Sequence, residues 1–267
     1  TLGLSFWGDG YYSQDEYGDD DTVVVDGVAF GFDDSMDTKR YGLQLGVDYG
    51  WTGARIGLTG GYAWAKADDE SDFSTLGFNA KGWNIGVYGQ FGGPRGFHGE
   101  FLAKHDRYKA EFDDGAFDGE NFDIKSTGLD GAVGYRFGMG GDATIDAHLG
   151  LSHVWSKVDN IALFGFDYDI DRLSSTRGRA GLRAIFGGGW APYVDGTVYR
   201  EFDGDGDIEL FDGAVLHDLE TNGKGTWVRL EAGLSGNDGP GPILALWGDL
   251  GDKQGFGVRA GWRLGGR

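Results

Sequence analysis

Twelve stretches of this sequence alternate apolar with small or polar residues, and the segments joining them switch between short glycine turns and long acidic runs. The alternation is plainest over 41–49, where Tyr41, Leu43, Leu45, Val47 and Tyr49 interleave with Gly42, Gln44, Gly46 and Asp48. A repeat of two places successive side chains on opposite faces of a strand. After Gly50-Trp51-Thr52-Gly53 the pattern resumes, with Ile56, Leu58, Tyr62 and Trp64 set against Arg55, Gly57, Thr59 and Gly61, the signature of a hairpin. It recurs at Trp83, Ile85, Val87 and Phe91 and again at Leu129, Val133, Tyr135 and Phe137.

Strands are predicted over 2–12, 39–50, 54–67, 80–92, 96–110, 123–138, 143–157, 173–187, 190–203, 225–235, 242–250 and 255–264. Tight turns fall near 51, 94, 140, 188 and 238, and longer acidic connections occupy 13–38, 68–79, 111–122, 158–172 and 204–224, with one short connection near 252. Hairpins that reverse at opposite surfaces of a membrane produce this sorting, short turns on the periplasmic side and long loops outside. A soluble β-sandwich has no reason to sort its loops by parity. The predicted fold is therefore all-β: a transmembrane antiparallel barrel of about 12 strands, a single domain over 1–267.

Composition agrees where it bears on that choice. The chain has 53 glycines against 4 prolines, and aromatics make up 15% of it. No segment approaches the roughly 18 consecutive apolar residues of a spanning helix, so a crossing must use strands. A mean hydropathy of −0.36 is compatible with that, because lipid-facing and lumen-facing residues average out. Aromatics near predicted strand ends, at Trp7, Tyr11, Tyr12, Tyr49, Trp51, Trp64, Phe91, Phe137, Trp155, Phe186, Trp190 and Trp262, suit interfacial girdles. The net charge of −20 argues against a nucleic-acid partner, and with no cysteine there is neither a disulfide framework nor a thiolate metal site. The opening Thr1-Leu2-Gly3-Leu4 carries no secretory signal, which reads as a processed or excised C-terminal piece.

Several segments, in this order, carry a family resemblance: Tyr41-Gly-Leu-Gln-Leu-Gly-Val-Asp48, Gly57-Leu-Thr-Gly-Gly-Tyr62, Gly86-Val-Tyr-Gly89, Gly134-Tyr135-Arg136-Phe137, Ala191-Pro192-Tyr193 leading to Glu201-Phe202, and Leu230-Glu231-Ala232-Gly233-Leu234. Nearly the whole chain resembles the translocator domain of autotransporters, the type V secretion proteins. The resemblance implies a bacterial outer-membrane barrel that enables export of an N-terminal passenger. It implies as partners the outer-membrane lipid, the barrel-assembly machinery and the chain's own passenger. The lumenal helix that the family places before the first strand, and the passenger, are expected to lie upstream of this sequence. Family members commonly finish on a terminal aromatic that the assembly machinery recognises. This chain finishes Trp262-Arg-Leu-Gly-Gly-Arg267, so either Leu264 substitutes before a short tail or the end has been altered.

If the apolar set faces lipid, the lumen receives Arg55, Arg136, Arg177, Arg179, Arg183, Arg229, Arg259 and Arg263 together with Asp48, Glu100, Asp130, Asp146, Asp195 and Glu231. Such a lining reads either as a polar conduit offering charge-assisted hydrogen bonds or as charges paired across neighbouring strands. Arg177, Arg179 and Arg183 share one face and are the strongest candidates for more than pairing.

No cofactor and no metal site is expected. Asp203-Gly-Asp-Gly-Asp207 resembles a calcium loop but has Ala214 where the bidentate Glu belongs. Catalysis is not expected either. Asp146 and His148 share a face near the periplasmic end, Ser152 and His153 point to opposite faces, and no Gly-x-Ser-x-Gly elbow or His-Glu-x-x-His signature is present. A porin-like channel and a surface binding or adhesion barrel acting through its acidic loops are the alternatives.

Overall fold

Side chains that alternate in the sequence alternate between the two sides of a closed sheet. The computed structural model describes residues 3–25, 28–69, 77–112, 121–159, 161–163, 166–170, 173–187, 190–203, 205–211, 216–222, 224–235 and 240–265. They form β1 (Gly3–Val25), β2 (Val28–Trp51), β3 (Ala54–Asp69), β4 (Gly77–Gly92), β5 (Gly96–Phe112), β6 (Asn121–Gly140), β7 (Ala143–Val158), β8 (Ile161–Leu163), β9 (Phe166–Ile170), β10 (Leu173–Ile185), β11 (Pro192–Asp203), β12 (Asp205–Phe211), β13 (Leu216–Asn222), β14 (Gly225–Ser235), β15 (Gly241–Gly251) and β16 (Lys253–Gly265).

Twelve of these strands close into a barrel in the order β1-β16-β15-β14-β11-β10-β7-β6-β5-β4-β3-β2. The first and last strands seal it, antiparallel from Ser5↔Gly265 to Tyr17↔Lys253. Closure satisfies every ladder and leaves no open edge, which is what allows a sheet to cross lipid.

The sheet is inverted relative to a soluble core. The largest fully buried side chains are Asp15, Asp48, Asp249 and Ser5, all facing the lumen. Leu45 and Leu246 on the outer face are 66% and 61% exposed, and some three dozen other large apolar and aromatic side chains are exposed with them. In water such a surface would aggregate; against lipid chains it is satisfied.

The twelve predicted spans all fall on barrel strands, but three of the acidic connections also carry strands; of the other two, residues 70–76 and 113–120 lie outside the described residues. Over 13–38 the first hairpin simply continues, pairing without interruption to Val25↔Val28. The run Thr22-Val23-Val24-Val25 and the following Val28-Ala29-Phe30 favour extended backbone, and the neighbouring Asp19-Asp20-Asp21 masks them in a composition reading. Parts of 158–172 and 204–224 form β8, β9, β12 and β13, a second sheet in the order β13-β12-β9-β8. Asp205 and Asp207 therefore sit on a ladder opposite Asn222 and Glu220 rather than in a coiled ion-binding loop.

Aromatics ring both ends of the outer face: Tyr49, Trp51, Phe91, Phe137, Trp190 and Trp262 at the short-turn end, Tyr41, Trp83, Trp155, Phe202 and Phe256 at the other. Trp7 and Tyr11 do not join them. Odd positions of β1 face the lumen, where Trp7 Nε1 donates to Tyr88 Oη at 2.5 Å. Outward Gly8 and Gly10 supply no apolar phase on this strand, so its alternation could not be read. Trp7 lies across Gly46, where any Cβ would collide with the indole.

Candidate functional site

The lumen wall is built from cross-strand clusters of opposite charge, and its organisation follows from the strand period. Even positions of β2, β4, β5, β6 and β7 and odd positions of the remaining barrel strands point inward, so carboxylates and arginines on adjacent strands meet.

At the short-turn end Asp48 is a hub. Ser5 Oγ donates to its Oδ1 at 2.5 Å and Tyr88 Oη to its Oδ2 at 2.6 Å. Arg263 Nη1 reaches Oδ2 at 2.8 Å and Arg55 Nε reaches Oδ1 at 3.0 Å. Arg263 is on the last strand, so this hub ties the β1–β16 seam to β2, β3 and β4. A carboxylate accepting this many donors is held in one geometry by charge-assisted bonds.

Two further clusters lie at the same end. Asp146 receives His98 Nε2 at 2.7 Å and Arg136 Nε at 3.1 Å. Asp195 receives Arg183 Nε at 3.0 Å and Thr197 Oγ1 at 2.6 Å. His148 stands nearer Thr197, at 3.2 Å, than Asp195, at 4.0 Å. Asp146 and His148 share a face as expected, but they engage separate partners. His153 turns outward to Thr176 at 2.6 Å.

Halfway along the lumen Arg179 forks onto Asp130, with Nη2 at 3.0 Å from Oδ1, and approaches Glu100 at 3.6 Å. Arg259 Nη2 donates to Asp9 at 2.5 Å. Toward the long-loop end Arg229 forks onto Asp249 with both contacts at 2.7 Å. Lys253 bridges Asp249 at 3.0 Å and Asp15 at 2.8 Å, and Arg40 also pairs with Asp15. Arg177 binds Glu201 at 3.1 Å while its guanidinium lies 4.8 Å over the Trp227 ring. Glu231 accepts from Tyr193 Oη at 2.6 Å.

The fourteen lumen candidates thus divide among several clusters. Arg177, Arg179 and Arg183 share a face but serve Glu201, Asp130 and Asp195 in turn, so they form no common site. Sequence reasoning missed Asp9, Asp15, Arg40, Tyr88, His98, Tyr193, Glu201, Asp249 and Lys253. Some were legible: Leu244, Leu246 and Leu250 leave 249 on the inner face, and extending the phase of Asp48, Gly46, Gln44 and Gly42 back along β2 reaches Arg40. Among the described residues, no group of three or more His, Asp or Glu is placed to hold a metal ion.

Comparison with known proteins places this architecture. No curated protein matches the chain by sequence. Many solved structures match over nearly its whole length, three autotransporter domains among them. The translocator domain of the autotransporter NalP from Neisseria meningitidis does so with a TM-score of 0.72 at 12% identity, covering 99% of this chain and 89% of that one. The beta domain of the Bordetella autotransporter BrkA gives 0.71 at 20% identity, covering 98% of both chains. The transport unit of AIDA-I from Escherichia coli gives 0.69 at 15%, covering 98% and 89%. At these identities the likeness establishes the fold. Membership comes from the sequence: the family model described as autotransporter beta-domain matches residues 6–251, and the chain belongs to that family.

Proposed function

We propose that this barrel is the outer-membrane translocator through which, or alongside which, an N-terminal passenger reaches the cell surface. The observation that carries the proposal is the inversion of the sheet: an apolar outer face between two aromatic rings, and a lumen whose charges are matched across strands. A chain in transit exposes backbone donors and acceptors and side chains of either sign. A wall carrying both signs, each charge already held by a partner, stays hydrated and binds no one class of segment tightly. Paired walls also resist deformation while the lumen is occupied.

The lumen residues Asp48, Arg55, Glu100, Asp130, Arg136, Asp146, Arg177, Arg179, Arg183, Asp195, Arg229, Glu231, Arg259 and Arg263 act in this reading as wall stitches and transient polar contacts, with no catalytic step. The whole chain works as one domain, inserted by the barrel-assembly machinery and solvated by outer-membrane lipid.

The test is a fusion: a signal peptide and an epitope-tagged extended passenger placed ahead of the full chain and expressed in a Gram-negative host. Surface protease should remove the epitope from intact cells while the barrel persists. A folded, membrane-inserted barrel whose epitope stays protected would overturn the translocator reading, and ion conductance would then be the property to measure.

A further inference from the structure

On the outer face of β2 to β7, each strand carries a basic residue two positions beyond its residue at the rim of the membrane band, on the long-loop side. The pairs are Lys39 beyond Tyr41, Lys66 beyond Trp64, Lys81 beyond Trp83, Arg107 beyond His105, Lys125 beyond Thr127 and Lys157 beyond Trp155, with Lys109 above Arg107. Two residues of strand set each cation about 7 Å above the rim. On the part of the wall formed by β14, β15, β16 and β1, the corresponding outward positions include Asp252, Gln254 and Gln14, with Glu16 one repeat further out, opposite Asp37. The belt is therefore one-sided.

The strand register makes it unusual. Lys39 faces Lys66, Lys81 faces Lys109, Lys125 faces Arg107 on one side and Lys157 on the other. Like charges directly opposite on one face destabilise a sheet. They are tolerated here even though the chain has 43 acidic and 23 basic residues, the carboxylates Asp37, Asp68, Glu111, Asp123 and Asp159 taking the next outward position beyond the cations instead of alternating with them. Some members do have one: Lys66 meets Asp68 at 3.1 Å, Arg107 meets Asp123 at 2.7 Å and Lys125 meets Asp159 at 3.1 Å. Lys39, Lys81, Lys109 and Lys157 form no ion pair with any described residue.

We infer that this belt docks the phosphate groups of an anionic lipid in the leaflet facing the cell exterior. The height fits a headgroup: aromatic rings mark the boundary of the acyl region, and the cations begin one strand repeat above it. The charge fits as well, since the four lysines without an ion pair among the described residues gain from a polyanionic neighbour, while Arg107, Lys125 and Lys66 are already held by carboxylates. Lipid would then be held on the β2–β7 side of the barrel and not around its whole circumference. The inference rests on the barrel's place in the outer membrane and is independent of what the lumen carries.

The full chain, refolded into phosphatidylcholine vesicles containing lipid A with both phosphates or the same lipid dephosphorylated, is extracted in mild detergent and its bound lipid measured by mass spectrometry. Phosphorylated lipid should be retained about tenfold over the dephosphorylated form, and Lys81→Gln combined with Lys109→Gln and Lys157→Gln should remove most of that preference. The matching Lys→Arg triple variant should keep it. Equal retention of the two lipids by the unaltered chain, or an undiminished preference in the Gln variant, would overturn the proposal. Should the Gln variant fail to fold, raising salt from about 0.05 to 0.5 M must weaken retention by the unaltered chain, because exposed charges are screened over that range; salt-insensitive retention would equally overturn it.

Discussion

Asp48 and Leu45 lie on the same strand three residues apart and live under opposite rules. Asp48 is 2% exposed, with Ser5, Arg55, Tyr88 and Arg263 closed around it. Leu45 is 66% exposed and packs against nothing but its sheet neighbours and lipid. The charged residue is the buried one. Strand parity alone decides which environment a residue meets, so the same substitution made one position along should change both the size and the origin of its effect. The outward belt adds a third environment, where charges meet headgroups and solvent and the fold leaves some of them unmatched.

The largest effect is expected at the hub. Removing a carboxylate from a buried cluster strands the cations around it, and Asp48→Ala should lower barrel stability by about 3–4 kcal/mol. Asp48→Asn, which keeps an acceptor for Ser5 and Tyr88, should recover part of that loss. Urea unfolding from vesicles, followed by tryptophan fluorescence, reads both.

On the opposite face, Leu45→Arg sets a cation midway between Tyr41 and Tyr49 and should cost about 2–4 kcal/mol. The neighbouring Gln44→Arg, pointing into the lumen, should cost far less. Equal costs for the two would break the comparison.

Third comes Gly46→Val, which forces the Trp7 indole off its seat; overpacking of this kind costs about 1–3 kcal/mol. Loss of the Trp7–Tyr88 hydrogen bond should shift the tryptophan emission.

The smallest effect belongs to the exposed Arg107–Asp123 pair above the membrane band. The Arg107 guanidinium holds the Asp123 carboxyl below its usual range. A depressed carboxylate contributes stability above its unfolded-state pKa and loses it as pH falls through the lower, folded value. Solvent and salt screen this contribution, so Asp123→Asn should abolish only a slight acid sensitivity, visible at low ionic strength and absent at high.

Which parts of this were readable in the sequence follows from the same parity. On β2 every outward position from 41 to 49 is apolar and every inward one small or polar, so the strand, its phase and the lumenal place of Asp48 could be read directly. On β1 the outward Gly8 and Gly10 erase the signal, and Trp7, Asp9 and Tyr11 could be placed only once the sheet was closed. The hairpin beyond residue 13 was hidden because acidic residues dominate its composition while its valines set its backbone. The partners within each lumen cluster depend on register between strands as distant in sequence as β1 and β16, which local patterning does not encode.

The central claim, that this barrel serves export of a passenger, is tested most directly by pulse-chase in the native host. An antibody against this segment follows its size while surface proteins are collected separately. The account predicts a much larger precursor that chases into a barrel-sized membrane species as its passenger appears at the surface, or that stays joined to a passenger accessible to external protease. An earliest species already barrel-sized apart from a signal peptide would contradict it.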